Sequence, residues 1–235
     1  MPTNFVNFMN RTSRLLGVAV GLLVTVLAQQ SRALVVPFTE DFISGNSNWL
    51  DGSSASATWV SSDGVEGGGY ITANATVVPT GGFGAIAFRG NAVSDASGDA
   101  FVGNWLTGGV ATFSTYVRHN APAELNFFAR LDAGSGRAGS SVNFAVSPNT
   151  WTHLSVPIVD STSSFQSYGA GTFSTVFNNI LNIQIVLAPN DAMAGQTYSI
   201  DVDQISIVPE PSTWALVVFG FVLLGVFGNR RAKKI

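Results

Sequence analysis

The central part of this sequence predicts an all-β fold, an antiparallel β-sandwich, and three observations carry that prediction. Short apolar or alternating runs rich in Val, Ile, Thr, Phe, Tyr and Trp recur along the chain, separated by clusters of Gly, Ser, Asn and Asp. Between Leu34 and Val208 no stretch keeps a helical period over a window of about eleven residues. Two of the runs alternate cleanly enough to assign one apolar and one polar face, as half-solvated antiparallel sheets do.

Ten strands are expected, in order Val35–Phe42, Ala55–Ser61, Gly69–Asn74, Gly82–Phe88, Val110–His119, Glu124–Leu131, Ser141–Ser147, Thr150–Ile158, Asn182–Ala188 and Tyr198–Val208. One helical turn is expected at Thr175–Ile180, where the alternation breaks. In Val110–His119 the residues Ala111, Phe113, Thr115 and Val117 oppose Thr112, Ser114, Tyr116 and Arg118. In Glu124–Leu131 the residues Leu125, Phe127, Ala129 and Leu131 oppose Glu124, Asn126, Phe128 and Arg130. The first set of each is assigned to the core. A body of this length buries a substantial core without metal or disulfide support.

The charges are segregated. Of 11 Lys and Arg, only Arg89, Arg118, Arg130 and Arg137 fall between Leu34 and Val208, against 13 carboxylates, so this body carries −9 and contains no lysine. Such a surface excludes a nucleic-acid binder, which needs clustered cations to displace counterions from phosphates. The absence of cysteine excludes a disulfide scaffold, a thiolate zinc site and a cysteine nucleophile.

The two ends are basic and apolar. Arg11 and Arg14 precede an apolar run from Leu15 to Ala28, followed by Gln-Gln-Ser31-Arg-Ala33. A charged, an apolar and a small-residue region in that order make a secretory signal peptide over residues 1–33, with Ser31 and Ala33 at the −3 and −1 positions of cleavage. After the body, 34–208, comes a tail, 209–235. It reads Pro209-Glu210-Pro211-Ser212-Thr213, then an apolar stretch to Gly228, then Asn229, Arg230, Arg231, Ala232, Lys233, Lys234 and Ile235. A short transmembrane helix at about 212–229 is expected, with the basic terminus held in the cytoplasm and the body outside.

Val208-Pro209-Glu210-Pro211-Ser212, the apolar span and the Arg230-Arg231 cluster together resemble the PEP-CTERM sorting signal of Gram-negative bacteria. Pro209, Glu210 and Pro211 match the motif that names the family, and Arg230 and Arg231 its basic stop. The resemblance implies export across the inner membrane by the secretion machinery, membrane attachment through the tail, recognition by exosortase, and a destination at the envelope, outer surface or extracellular matrix. Each proline lacks an amide hydrogen and disfavours helix in the residue before it, which keeps the tripeptide extended.

Three segments of the body carry a second resemblance. Pro37-Phe38-Thr39-Glu40-Asp41-Phe42, Asn149 to Val156 and Tyr198 to Ile207 are similar to the jelly-roll sandwiches of galactose-binding-like and carbohydrate-binding modules. The resemblance implies pairing of first and last strands, a structural Ca²⁺ ion held by Glu40, Asp41, Asp201 and Asp203, and affinity for extracellular polysaccharide. Acidic side chains on edge strands also deter edge-to-edge pairing without any metal.

Catalytic signatures are sparse. The body has two histidines, His119 and His153, and neither a Gly-x-Ser-x-Gly elbow nor a phosphate-binding glycine loop. Among 13 carboxylates some pair at glycosidase spacing is inevitable by chance, and no local arrangement singles one out. Aromatic rings that stack on sugars and planar groups that bond hydroxyls are the stronger lead, and Tyr116, Arg118, Asn126, Phe128 and Arg130 are the candidate binding groove. Trp49, Trp59, Trp105 and Trp151 are assigned to packing. The expected function is a non-enzymatic exported surface or matrix protein whose sandwich binds polysaccharide; the alternative is a glycoside hydrolase or lyase of sandwich fold.

Overall fold

A computed structural model describes residues 34–210. The export signal, its cleavage site at Ser31 and Ala33, the apolar span at 212–229, and Pro211, Arg230 and Arg231 lie outside the described residues. Thirteen strands form two antiparallel sheets: β1 (Phe38–Glu40), β2 (Leu50–Asp51), β3 (Thr58–Val60), β4 (Tyr70–Thr76), β5 (Ala85–Asn91), β6 (Val110–His119), β7 (Leu125–Asp132), β8 (Arg137–Ser141), β9 (Phe144–Val146), β10 (Thr152–Pro157), β11 (Phe165–Gly169), β12 (Asn182–Leu187) and β13 (Thr197–Pro209). The first sheet runs β10-β6-β13-β4-β3, with β1 also on β13; the second runs β11-β8-β7-β12-β5-β2, with β9 on β7. Sandwich architecture, and the pairing of the first strand with the last, are as expected.

The inward faces obey the alternation of the sequence. On β6 Phe113, Thr115 and Val117 are buried, and on β7 Leu125, Phe127, Ala129 and Leu131 are. They join Ile183, Ile185 and Leu187 of β12 and Leu154 and Val156 of β10 in one core. Burying such side chains gives about 1.5–3 kcal/mol each, the main force closing the two sheets.

Strand β13 needs one adjustment to contribute to this core. Its apolar residues change parity, Ile200 and Val202 being followed by Ile205 and Ile207. A bulge between Asp203 and Ser206 resolves the conflict: Gln204 takes a positive φ of 47°, and all four apolar side chains face inward. The Thr115 hydroxyl donates to the Asp203 carbonyl, 3.1 Å away, beside the bulge.

Strands β2, β8 and β11 were not expected. The stretch Arg137–Ser141 contains Gly139, Ser140 and Ser141 and has the composition of a turn. Here Gly139 is a notch: a Cβ on it would lie 2.0 Å from Cζ of Phe165, so only glycine lets that ring into the core between β8 and β11. The helical turn α1 (Phe173–Phe177) begins two residues earlier than expected, because Thr172 and Thr175 form a reciprocal capping box at its start.

Candidate functional site

The five residues expected to form one groove are divided between opposite faces of the sandwich. Tyr116 and Arg118 project from β6 on the outer face of the first sheet, whereas Asn126, Phe128 and Arg130 project from β7 on the outer face of the second. The physical reason is topological: β6 and β7 are consecutive in sequence but belong to different sheets, so their polar faces point away from each other across the core.

On the first sheet, Arg118 is closely held. Its Nε donates to Asp201 Oδ2 and its Nη1 to Asp63 Oδ2, both at 2.9 Å. The guanidinium lies 4.4 Å from the Trp151 ring and 5.0 Å from that of Tyr70, within cation–π range of both. Burial opposes its charge, but the bonds to Asp63 and Asp201 prevail and raise its pKa above the ordinary arginine value. Trp151 Nε1 donates to the Asp63 carbonyl, anchoring the same loop. Beyond this cluster the Tyr116 and His153 rings lie 4.7 Å apart.

The outer face of the second sheet is organised in rows across the strands. One row is apolar: Phe128, Val186 and Ile86, joined by Ala188, form a second small cluster separate from the core. Over it, on the β4–β5 loop, sits Phe83, 49% exposed, edge-on to Phe128 at 5.7 Å and to Tyr168 at 5.8 Å. The next row is polar, with Ser140, Arg130, Gln184 and Arg89 directly paired from β8 through β7 and β12 to β5. The third holds Asp132, Asn182 and Asn91.

Arg130 joins these rows. Its Nε donates to the Tyr168 hydroxyl at 2.7 Å and its Nη1 to Gln184 Oε1 at 3.1 Å, and Nη1 also pairs with Asp132 Oδ2 at 3.0 Å. It lies 5.6 Å from the centre of Phe83 and 5.8 Å from that of Tyr168. Burial raises the Tyr168 pKa, a shift that the Arg130 charge opposes, so the phenol stays protonated. The result is a half-exposed ring beside a planar cation and a phenol, with the buried Gln184 amide behind the cation, a combination suited to a ligand with apolar C–H faces and many hydroxyls.

Phe83, Tyr168, Gln184 and Arg89 are members of this face that the sequence did not single out. Phe83 and Tyr168 lie outside the runs with clean alternation, Gln184 is hidden in an apolar strand, and no local pattern links the four. Of the four tryptophans of the body, Trp49 and Trp105 are fully buried, while Trp59 and Trp151 tie loops through bonds from their indole N–H groups to the Phe42 and Asp63 carbonyls.

Glu40, Asp41, Asp201 and Asp203 do not assemble as the expected calcium cage. Asp201 is taken by Arg118, and Glu40 Oε1 accepts from the Phe42 N–H at 3.2 Å. Asp203, 2% exposed, accepts from the N–H groups of Val65 at 2.8 Å and Gln204 at 2.7 Å. Among the described residues no group of three or more His, Cys, Asp or Glu side chains has the arrangement of a metal site. Asp41, Glu66 and Asp203 do line one pocket of about 180 Å³, where burial first, and the two neighbouring carboxylates after it, raise the Asp203 pKa. The histidines are far apart in environment: His119 is on the core side of β6, and His153 is exposed on β10.

The sequence matches none of the curated proteins. Solved structures of similar fold include the family 11 carbohydrate-binding module of Clostridium thermocellum cellulase Lic26A-Cel5E, at 16% identity, TM-score 0.45, over 75% of this chain and 96% of that one. The CBM22-1–GH10 modules of C. thermocellum xylanase 10B align at 15% identity, TM-score 0.47, over 74% of this chain and 28% of that chain. An exo-β-agarase aligns at 11% identity, TM-score 0.48, over 75% and 25% respectively. Strand β13 ends at Pro209, which pairs with Val110, and Glu210 follows exposed, so the last strand leads directly into the C-terminal motif. That motif, at residues 208–232, is a PEP-CTERM protein-sorting motif, a signal that implies export, processing by exosortase and sorting to the cell envelope of Gram-negative bacteria.

Proposed function

We propose that the exported chain is a non-enzymatic polysaccharide-binding protein of the cell surface or extracellular matrix, and that its binding face is the outer face of the second sheet. The constellation of Phe83, Arg130, Tyr168 and Gln184 supports this reading. An exposed ring offers a stacking surface, while Arg130, held from behind by the buried Gln184 amide, offers directional donors for hydroxyls on the same plane. The sorting motif supports a location where such polymers occur. Polysaccharide microarrays probed with the protein test it: Tyr168→Ala or Arg130→Ala should reduce retention about tenfold or more with the melting transition preserved, given the strength of charge-assisted bonds. Unchanged retention in both folded variants would remove this face from the binding function.

A second reading, an enzyme that cleaves polysaccharide, has one observation in its favour. Asp203, with its raised pKa, shares a pocket with Asp41 and Glu66, as an acid–base pair requires. Against it, both Asp203 oxygens accept backbone N–H bonds. Release of reducing ends or unsaturated products, abolished by Asp41→Asn, is the outcome that would favour this reading.

A further inference from the structure

The body has more than three carboxylates for every arginine, and yet the arginines are not equally matched. Among the described residues Arg118 has two carboxylate partners, Arg130 one and Arg137 none, its guanidinium bonding the Ala133 and Gly134 carbonyls of its own turn. Arg89 forms no ion pair among the described residues: its Nη2 makes a long 3.4 Å bond to the Gly52 carbonyl, and its Nε is buried without a partner. Asp51 feels the Arg89 charge only as the smallest influence on its own carboxyl, which Ser53 and Ala55 hold by hydrogen bonds. On the same face Asn182 Oδ1 is buried without a partner. No protein acceptor among the described residues binds Arg130 Nη2.

Arg89 and Arg130 flank Gln184 in one cross-strand row. Two strand spacings place their backbones roughly 10 Å apart, on the order of a disaccharide repeat. Asp132, in the neighbouring row, pairs with Arg130, and Asp51 feels Arg89 only weakly, so among the described residues Arg89 is a cation without a paired countercharge on a body of −9. A cation without a carboxylate partner beside a guanidinium with an unused donor is what a surface shows when its complement belongs to another molecule.

We propose that the ligand is an anionic polysaccharide lying across the strands of the second sheet, with carboxylate or sulfate groups of alternate sugars at Arg89 and Arg130. The proposal rests on the polysaccharide-binding reading above and narrows it to a charge class. Arg130 contributes to any glycan through its place beside Phe83 and Tyr168; Arg89, remote from the rings, contributes through charge.

The test is a panel of alginate, polygalacturonate, xanthan and chondroitin sulfate, each beside its carboxyl-reduced or desulfated counterpart, with cellohexaose and xylohexaose as uncharged probes. The expected result is retention of at least one acidic polymer with about tenfold weaker binding of its neutralised counterpart. Arg89→Gln should narrow that gap, Arg130 keeping part of it, and added salt should weaken the acidic polymer alone. Equal binding of charged and neutralised polymers, or a preference for the uncharged probes, would overturn the charge assignment and leave polysaccharide binding intact. No retention of any probe would overturn both. If Arg89→Gln fails to fold, the wild-type gap and its salt dependence still decide.

Discussion

The two outer faces of this sandwich each present an arginine above two aromatic rings, and the two arginines are held in different ways. Arg118, on the first sheet, is enclosed by Asp63, Asp201, Tyr70 and Trp151, all from this chain. Arg130, on the second, has one carboxylate, a phenol and an amide as partners, and one of its rings, Phe83, is half exposed. The first arrangement fixes the 61–69 loop and strand β10 onto the sheet; the second leaves donor capacity and ring surface directed outward. The same residue types thus serve structure on one face and recognition on the other, and the difference lies in how fully their partners are supplied within the chain.

The largest expected contrast follows from removing each cation. Arg118→Ala leaves Asp201 partly buried without its partner, and the loss of a desolvated pair predicts destabilisation of about 2–3 kcal/mol. The Asp63 bond adds little to that figure, because this carboxylate is 79% exposed and screened. Arg130→Ala should cost about 1–2 kcal/mol of stability, since Asp132 and Tyr168 retain access to water and only the buried Gln184 Oε1 loses its donor. Denaturant titrations of both variants measure the contrast, and polysaccharide retention supplies its second half: binding survives Arg118→Ala wherever the variant remains folded. Equal stability losses would dissolve the distinction between a structural and a recognising arginine.

Much of the fold was legible because β6 and β7 alternate closely enough to assign their inward residues, the departures being Phe128, buried on the outward face under Phe83, and Ala111, only partly buried. The site was less legible for a reason internal to that success. Alternation tells which residues of one strand share a face; it does not tell whether the outward faces of two strands coincide. Tyr116 and Arg130 each lie on an outward face, and only the passage of the chain from one sheet to the other separates them. The parity change from Val202 to Ile205 is present in the sequence, but only the pairing of β13 with β6 shows it to be a bulge. Gly139 was not readable, since a glycine that admits the Phe165 ring and one that makes a turn have the same composition around them.

Acid should act on the first sheet, through His119 of β6, by a smaller margin. His119 is 1% exposed; its Nδ1 accepts from the Ala121 N–H at 3.2 Å, and its Nε2 lies 2.9 Å from the Val146 carbonyl. These partners fix the neutral Nε2–H tautomer, and burial, opposed by the Val146 bond, lowers its pKa. The unfolded chain therefore takes up the proton first: stability is whole above about pH 6.5 and declines below it, by at most about 1.4 kcal/mol per unit, until the folded value is reached. Asp203, whose pKa burial raises, acts in the opposite sense as its carboxyl takes up a proton. The difference between wild type and His119→Gln, measured by unfolding at pH 7 and pH 5, cancels the Asp203 contribution and should show the loss only in wild type. A pH-independent difference would mean that His119 is not held neutral.

The smallest expected effect bears most directly on which face recognises the ligand. Tyr116 contacts His153 on the first sheet and lies between Arg118 and the exposed edge formed by β10. Cross-strand ring pairs at exposed positions contribute about 0.2–1 kcal/mol, so Tyr116→Ala should change stability within that range. Its effect on polysaccharide retention should be nil, because the core separates it from Phe83, Arg130 and Tyr168. A tenfold loss of retention in Tyr116→Ala, with Tyr168→Ala unaffected, would move recognition to the first sheet. Tyr70, Trp151 and His153 would then be the rings that meet the sugar, and the carboxylates around Arg118 would orient that cation toward ligand hydroxyls instead of withholding it from them.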